Sequence, residues 1–138
     1  MSYAGKNILI TGGTGYIGSL LVESFNSIDC TVIVSNDDVS NKSTWEDIIN
    51  PEIDFVFHLA AVEVGSDTVE RDLNVNTVSV LHMLQTCVEK KCNPKIIFSS
   101  STNVFGDVDE DIVNENIKSN PQVEWSAHKL LAENYIRI

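Results

Sequence analysis

Positive charge is scarce in this sequence. Nine Lys and Arg stand against twenty Asp and Glu, a formal net charge of −11, and that balance excludes the basic surface that nucleic acid or an anionic membrane demands. Any phosphate bound here must be held by backbone N–H groups and a few local cations. Long apolar runs are absent too, none approaching the ~18 residues of a membrane span. Behind Lys6 stands only a short apolar stretch, and a glycine turn lies where an export signal would carry its apolar core. A cytoplasmic chain without an export signal is the expectation. Cys30, Cys87 and Cys92 are odd in number and lack CxxC spacing, which suits free thiols in a reducing compartment better than a disulfide framework. His58, His82 and His128 show no metal-ligand spacing, so packing or surface roles are expected and no metal is assigned. Internal repeats and low-complexity tracts are missing as well.

What the sequence does have is a glycine turn in a telling place. The run Ile8-Leu9-Ile10 leads into Thr11-Gly12-Gly13-Thr14-Gly15-Tyr16-Ile17-Gly18, and Ser19-Leu20-Leu21-Val22 continues as a helix-like stretch. Glycines at 12, 15 and 18 let the backbone turn sharply, approach a pyrophosphate and pack a helix closely on a strand. The anion would rest on the helix N-terminus, where unpaired N–H groups and the helix dipole favour negative charge. With 138 residues, 43% hydrophobic and 21% charged, the chain has the size and composition of one globular domain over residues 1–138.

The rest of the chain alternates strand and helix patterns, which predicts an α/β fold with a doubly wound, Rossmann-like parallel sheet. Strands are expected at residues 6–11, 31–34, 54–61 and 95–98, apolar throughout as befits strands covered on both faces. The first helix is expected over 16–27, with Ile17, Leu20, Leu21, Ser24 and Phe25 facing the sheet. Ser43-Thr44-Trp45-Glu46 reads as a capping box opening a short helix through about Asn50. A long helix is predicted over 68–91, its stripe at Leu73, Val80, Leu81, Leu84 and Val88, with Lys90 and Lys91 complementing its C-terminal dipole. A last helix is expected over 121–138, with Trp125, Lys129 and Glu133 along one face. Between the second strand and the Ser43 helix the gap is too short for a crossover, so the sheet is shortened by one helix-strand unit after its second strand. The acidic residues at 107–111 and Glu115 read as a solvated loop, since the ligand spacing and turn glycine of a Ca²⁺ loop are absent.

A dinucleotide fold places an acidic residue at the end of its second strand to hold the adenosine ribose. The candidates are Asn36, Asp37 and Asp38, with Val39 beside them. Asn36 matches the spacing but is uncharged, and Asp37 supplies a carboxylate if the strand runs slightly longer. No arginine follows, which favours NAD over NADP.

Five motifs occur in order: the glycine turn at 11–18, His58-Leu59-Ala60-Ala61, Asn74-Val75-Asn76, Phe98-Ser99-Ser100-Ser101 with Val104-Phe105-Gly106, and Ser126-Ala127-His128-Lys129 followed by Glu133. Together they resemble the extended short-chain dehydrogenase/reductase family, particularly its NAD-dependent nucleotide-sugar epimerases and dehydratases. The resemblance implies that Gly12, Gly15, Tyr16, Ile17 and Gly18 hold the pyrophosphate and that Leu59, Ala60 and Ala61 line the cofactor with backbone. It implies further that Asn76 and Ser99 belong to the cofactor site, that Lys129 binds the nicotinamide ribose, and that Ser101 hydrogen-bonds the reacting sugar oxygen. Read from its residues alone, the Ser99-Ser100-Ser101 run has the alternative of merely capping a turn.

One position departs from that family. Its base is a tyrosine four residues before the lysine, whose phenol the ammonium brings toward neutrality, and here Trp125 stands in that place. Indole only donates hydrogen bonds, so it cannot take a proton from a sugar hydroxyl. No counterpart of the family's C-terminal substrate domain is expected within these 138 residues. The expectation is therefore an NAD site with impaired proton transfer, open to a nucleotide-sugar substrate and completed by self-association or a partner. The alternative is a non-catalytic NAD(H) sensor or interaction module.

Overall fold

In a computed structural model that describes residues 2–65, 67–108 and 112–138, four parallel strands form one sheet in the order β2-β1-β3-β4. They are β1 (Asn7–Thr11), β2 (Thr31–Ser35), β3 (Phe55–His58) and β4 (Lys95–Phe98). The helices are α1 (Tyr16–Asn26), α2 (Lys42–Ile48), α3 (Val69–Leu73), α4 (Ser79–Glu89) and α5 (Glu124–Arg137). Ile8 pairs with Val32 on one side and with Phe55 on the other, so β1 is central and β2 lies at the sheet's edge. No strand separates β2 from α2, and this is the shortened Rossmann-like architecture that the chain spacing predicts. Of the acidic loop expected at 107–111 and Glu115, Asp107 and Glu115 are exposed, and 109–111 lie outside the described residues.

Alternation along the strands divides the core in two. Ile8, Ile10, Phe55 and Phe57 point to one face and enclose Phe25 of α1, while Leu9 and Val56 point to the other and meet Trp45, Val80, Met83 and Ala132. Both faces are thus covered, which is why the strands read as continuous apolar runs. Trp45 is fully buried and its indole N–H donates to the Val39 carbonyl at 2.9 Å.

The helix faces differ in detail from the sequence reading. On α1 the sheet side is Gly18, Leu21, Val22 and Phe25, an i, i+3, i+4, i+7 set, while Ile17 and Leu20 are 63% and 53% exposed and Ser24 faces solvent. The helix has to bring Gly18, its smallest residue, against the glycine loop, and that choice rotates Ile17 and Leu20 outward. On α2 the N-cap is Asn41, two residues ahead of the expected Ser43, and Glu46 does not reach back to close a box. Instead its carboxylate lies 3.6 Å from Lys42, an i, i+4 pair.

The long helix forms as a continuous run from α3 to α4, but a π-helical turn, Asn74–Val78, interrupts it. Such a turn inserts a residue and rotates everything after it. The buried stripe therefore becomes Val75, Val80, Met83 and Cys87, and Val88 is 78% exposed. Lys90 serves the neighbouring helix: its ammonium donates to the carbonyls of Glu46 and of Ile49, the latter at 2.7 Å, at the end of α2. The last helix starts at Glu124, after Pro121, where the Ser126 hydroxyl donates to the Val123 carbonyl at 2.8 Å.

Candidate functional site

At the C-terminal edge of the sheet, where β1, β2 and β3 end, the structure opens a cleft of about 450 Å³. This is where parallel α/β sheets bind ligands. One wall is the glycine loop, with Gly12, Thr14 and Gly15. Gly12 has φ +71°, and a Cβ there would lie 2.7 Å from the Ala60 nitrogen, so the loop turns and presses against the end of β3 in a way only glycine permits. A Cβ at Gly18 would lie 2.2 Å from the Gly12 carbonyl oxygen. That glycine locks α1 under the loop rather than facing the cleft.

The start of α1 is the natural anion seat. Gly15 is its N-cap and supplies no side-chain hydrogen bond, and no acidic residue occupies the first turn. The first-turn N–H groups at Tyr16 and Ile17, whose side chains point to solvent, are thus left for an external acceptor. A second wall comes from the end of β2, where Asn36, Asp37, Asp38 and Val39 all line the cleft. Asn36 steadies the loop by accepting from the Thr14 N–H at 3.2 Å. Asp37 accepts from the Ser35 hydroxyl at 3.2 Å. The third wall is Leu59, Ala60 and Ala61, small at the point of closest approach.

These features fit a dinucleotide: an uncapped helix N-terminus for the pyrophosphate, carboxylates for ribose hydroxyls, and a glycine and alanine surface that admits a flat ligand. Sequence reasoning missed Val62, Val75 and, above all, Arg71. No arginine follows β2 closely along the chain, but one stands beside its end in space. Arg71, from α3, pairs with Asp38 at 3.0 Å, brought there by a fold contact between positions 33 apart that no local pattern announces.

The residues assigned to chemistry lie apart from this cleft. Lys129 is 1% exposed, donates to the Ser99 carbonyl at 3.1 Å, and sits over the rings of Phe98 and Trp125 at 4.8 and 5.6 Å. Burial pushes its pKa down to about 8, partly opposed by the charge of Asp72. Trp125 is turned inward, its indole N–H donating to the Val62 carbonyl at 2.6 Å. Asn76 is fully buried and clamps the same residue, accepting from the Val62 N–H at 3.2 Å and donating to its carbonyl at 3.1 Å. It shapes the cleft through the Val62 backbone. Ser101 caps the 3-10 turn Thr102–Phe105 by accepting from the Asn103 N–H at 3.2 Å.

His58 is also fully buried, between the Thr11 hydroxyl at 2.7 Å and the Ser79 hydroxyl at 3.2 Å. Burial, with a smaller push from the charge of Lys129, lowers its pKa to about 3, so it is neutral and structural. His128 has Nδ1 3.2 Å from an Asp72 carboxylate oxygen, without the alignment of a hydrogen bond. Among the described residues no group of three or more His, Cys, Asp and Glu is placed to hold a metal.

Residues 8–138 match the profile of the family described as NAD dependent epimerase/dehydratase. The chain belongs to that family. NAD is accordingly the cofactor of its family, and the resemblance carried by the five motifs is the right one. The chain is 30% identical to a putative UDP-glucose 4-epimerase of Methanocaldococcus jannaschii, covering 95% of this chain and 50% of that protein. It is 28% identical to D-erythronate dehydrogenase of Cupriavidus necator, covering 92% and 48%. The solved UDP-Glc/GlcNAc 4-epimerase of Campylobacter jejuni superposes with a TM-score of 0.87 at 26% identity, over 96% of this chain and 48% of the other. The chain thus spans about half the length of the curated relatives it matches.

Proposed function

We propose that this chain is an NAD(H)-binding domain of the nucleotide-sugar epimerase and dehydratase type, impaired in proton transfer as it stands. The observation that carries the cofactor half is the uncapped start of α1, opening on a cleft whose far wall holds Asp37 and Asp38. When bound, NAD supplies a hydride acceptor for the oxidation of a sugar carbon. The chain's own residues would hold it: the α1 N–H groups would bear the pyrophosphate, the β2 carboxylates would accept from ribose hydroxyls, and Lys129, whose pKa burial lowers to about 8, would orient the nicotinamide ribose once uncovered from the Phe98 and Trp125 rings. Ser101, whose oxygen accepts from the Asn103 N–H, can still donate its O–H and would use it to hydrogen-bond a sugar oxygen.

The reading of impairment rests on Trp125. Its only polar hydrogen is committed to Val62, and indole has no deprotonated form near neutral pH. Loss of a positioned acid/base group costs roughly 10² to 10⁴ in rate. The same observation favours the second reading, a non-catalytic module that senses NAD(H). The purified chain should enhance NADH fluorescence on titration and should not turn over UDP-sugars. Gain of epimerase or dehydratase activity by Trp125→Tyr on a panel of nucleotide sugars supports the impaired enzyme; continued silence supports the sensor. Robust activity of the unaltered chain would overturn the impairment.

Two further points support the wider reading. Free thiols at Cys30, Cys87 and Cys92 suit a cytoplasmic chain, and among the described residues no helix is long and apolar enough to cross a membrane. Exposed Tyr16, Ile17, Leu20 and Val34, beside the edge strand β2, favour self-association or completion by a partner.

A further inference from the structure

The C-terminal turn of α4 brings two thiols together. Lys90 is the C-cap of that helix, and Lys91 after it has φ +55°, in the left-handed region that a lysine seldom enters. With the chain reversed there, the Lys91 N–H donates to the Val88 carbonyl at 3.1 Å and the Cys92 N–H to the Cys87 carbonyl at 3.0 Å. This pair of bonds is a Schellman closure, which also sets the first and last side chains of the turn against each other. Those side chains are Cys87 and Cys92. Both belong to one core cluster, Cys87 buried and Cys92 packed against it half-buried, and the Cys92 thiol donates back to the Cys87 carbonyl at 3.6 Å. The backbone bond between them keeps their Cα atoms within about 7 Å, a separation that a disulfide can span. Lys90, lying between them in the chain, fastens the turn to α2 through the carbonyls of Glu46 and Ile49. The third thiol, Cys30, packs against the other core cluster and donates to the Phe25 carbonyl at 3.4 Å.

We infer that Cys87 and Cys92 form a redox modification site, at which a low-molecular-weight disulfide such as oxidised glutathione closes an intramolecular bond across the end of α4. The site is independent of the cofactor cleft. Cys92 is the point of entry, because it is partly exposed whereas Cys87 is 6% exposed and closed to an external reagent. The Cys92 thiolate attacks one sulfur of the glutathione disulfide and displaces one glutathione thiolate, leaving a mixed disulfide. Cys87, as thiolate, then attacks the Cys92 sulfur and displaces the second glutathione. The protons given up by the two cysteines pass through water to the two departing thiolates, so two protein thiols are oxidised and one external disulfide is reduced. Burial, and then the charge and hydrogen bond of Cys92, push the Cys87 pKa up. The second step is therefore the slow one and should quicken as pH rises.

Equilibrating the purified chain in buffers of oxidised and reduced glutathione, followed by acid quenching, alkylation and mass spectrometry, tests this. The oxidised protein should be lighter by two hydrogen atoms, with Cys87 and Cys92 joined, Cys30 alkylated, and the bond reversed by dithiothreitol. In urea, where the turn is lost, the same equilibrium should favour the bond at least about tenfold less, since only the fold holds the pair in contact. Cys87→Ser should stop at the mixed disulfide on Cys92, and Cys92→Ser should leave position 87 reduced. Should Cys92→Ser fail to fold by circular dichroism, Cys92→Ala makes the same comparison. A chain that stays reduced throughout, or that retains glutathione on Cys92 while Cys87 remains free, overturns the inference. So does a bond to Cys30, and so does an equilibrium equally favourable in the folded and the urea-unfolded chain, which would show that the turn does not select the pair.

Discussion

The two ends of the sheet's C-terminal edge use their polar groups in opposite ways. At the β1–β2 end they face an open cleft: the first turn of α1 carries no side-chain cap, Gly12 and Gly15 expose backbone, and Asp37 and Asp38, each held by a local partner, stand on the rim. At the β4–α5 end they are satisfied internally. Lys129 is enclosed by two rings and a carbonyl, Trp125 is bonded to Val62, and Ser101 closes a turn. Unsatisfied donors beside a cleft invite a ligand, whereas satisfied ones hold a fold. The contrast separates two properties that motif matching joins, holding a cofactor and moving a proton.

The largest effect should come from filling the glycine contact under the loop. Gly18→Ala would set a methyl group 2.2 Å from the Gly12 carbonyl oxygen, and neither backbone can yield without moving α1. A loss of about 3 kcal/mol in urea unfolding is expected, with NADH binding lost in any fraction that still folds. An alanine variant that binds NADH normally would mean that the open end is not organised by this contact.

Acid should act next, through His58. Its pKa falls from 6.5 to about 3 on burial, so between those values the unfolded chain binds the extra proton and the folded one does not. Stability from this residue is complete above pH 6.5 and drains away as pH falls toward 3. Lowering the pH from 7 to 4 should cost about 2–3 kcal/mol from His58 alone, and His58→Asn should flatten that dependence. Equal pH profiles for the two proteins would show that the buried ring is not what links the ends of β1 and β3.

Smallest, and most discriminating, is Lys129→Met. A buried ammonium is costly, so the variant should be as stable as the parent at pH 7 or more so by about 1 kcal/mol. Because the lysine pKa is lowered from 10.5 to about 8, the unfolded chain binds the extra proton between these values. The parent should therefore gain on the variant as pH rises from 8 to 10.5. NADH affinity, measured in the same samples, should fall if Lys129 holds the ribose. Unchanged affinity with raised stability would leave the β4–α5 end a purely structural region.

Much of the architecture was legible because its signals are local. A strand, glycine turn and helix in register, the apolar runs at 8–10 and 55–57, and a gap too short for another crossover fix the order of elements and the edge position of β2. The residues that line the cleft were open to the same reading, since Gly12, Gly15, Asp37, Asp38 and Ala60 each lie within three residues of a strand's end or a helix's start. The misreadings at Ile17, Leu20 and Val88 arose where period counting assumes an uninterrupted helix and the widest stripe. The π turn at Asn74–Val78 and the demand for Gly18 at the loop override it.

From its residue order alone the chain carries its α/β alternation, its glycine turn, its family and the absence of a tyrosine at position 125. Those are properties of near neighbours in the chain, set by backbone sterics and by the chemistry of single side chains. Only the folded structure sets Arg71 on Asp38, turns Trp125 to Val62, buries Lys129 between two rings and commits Ser101 to a turn. These contacts, apart from that of Ser101 and that of Lys129 with the Trp125 ring, join residues far apart along the chain. Their energies depend on which groups packing removes from water, and that is decided when the helices close over the sheet.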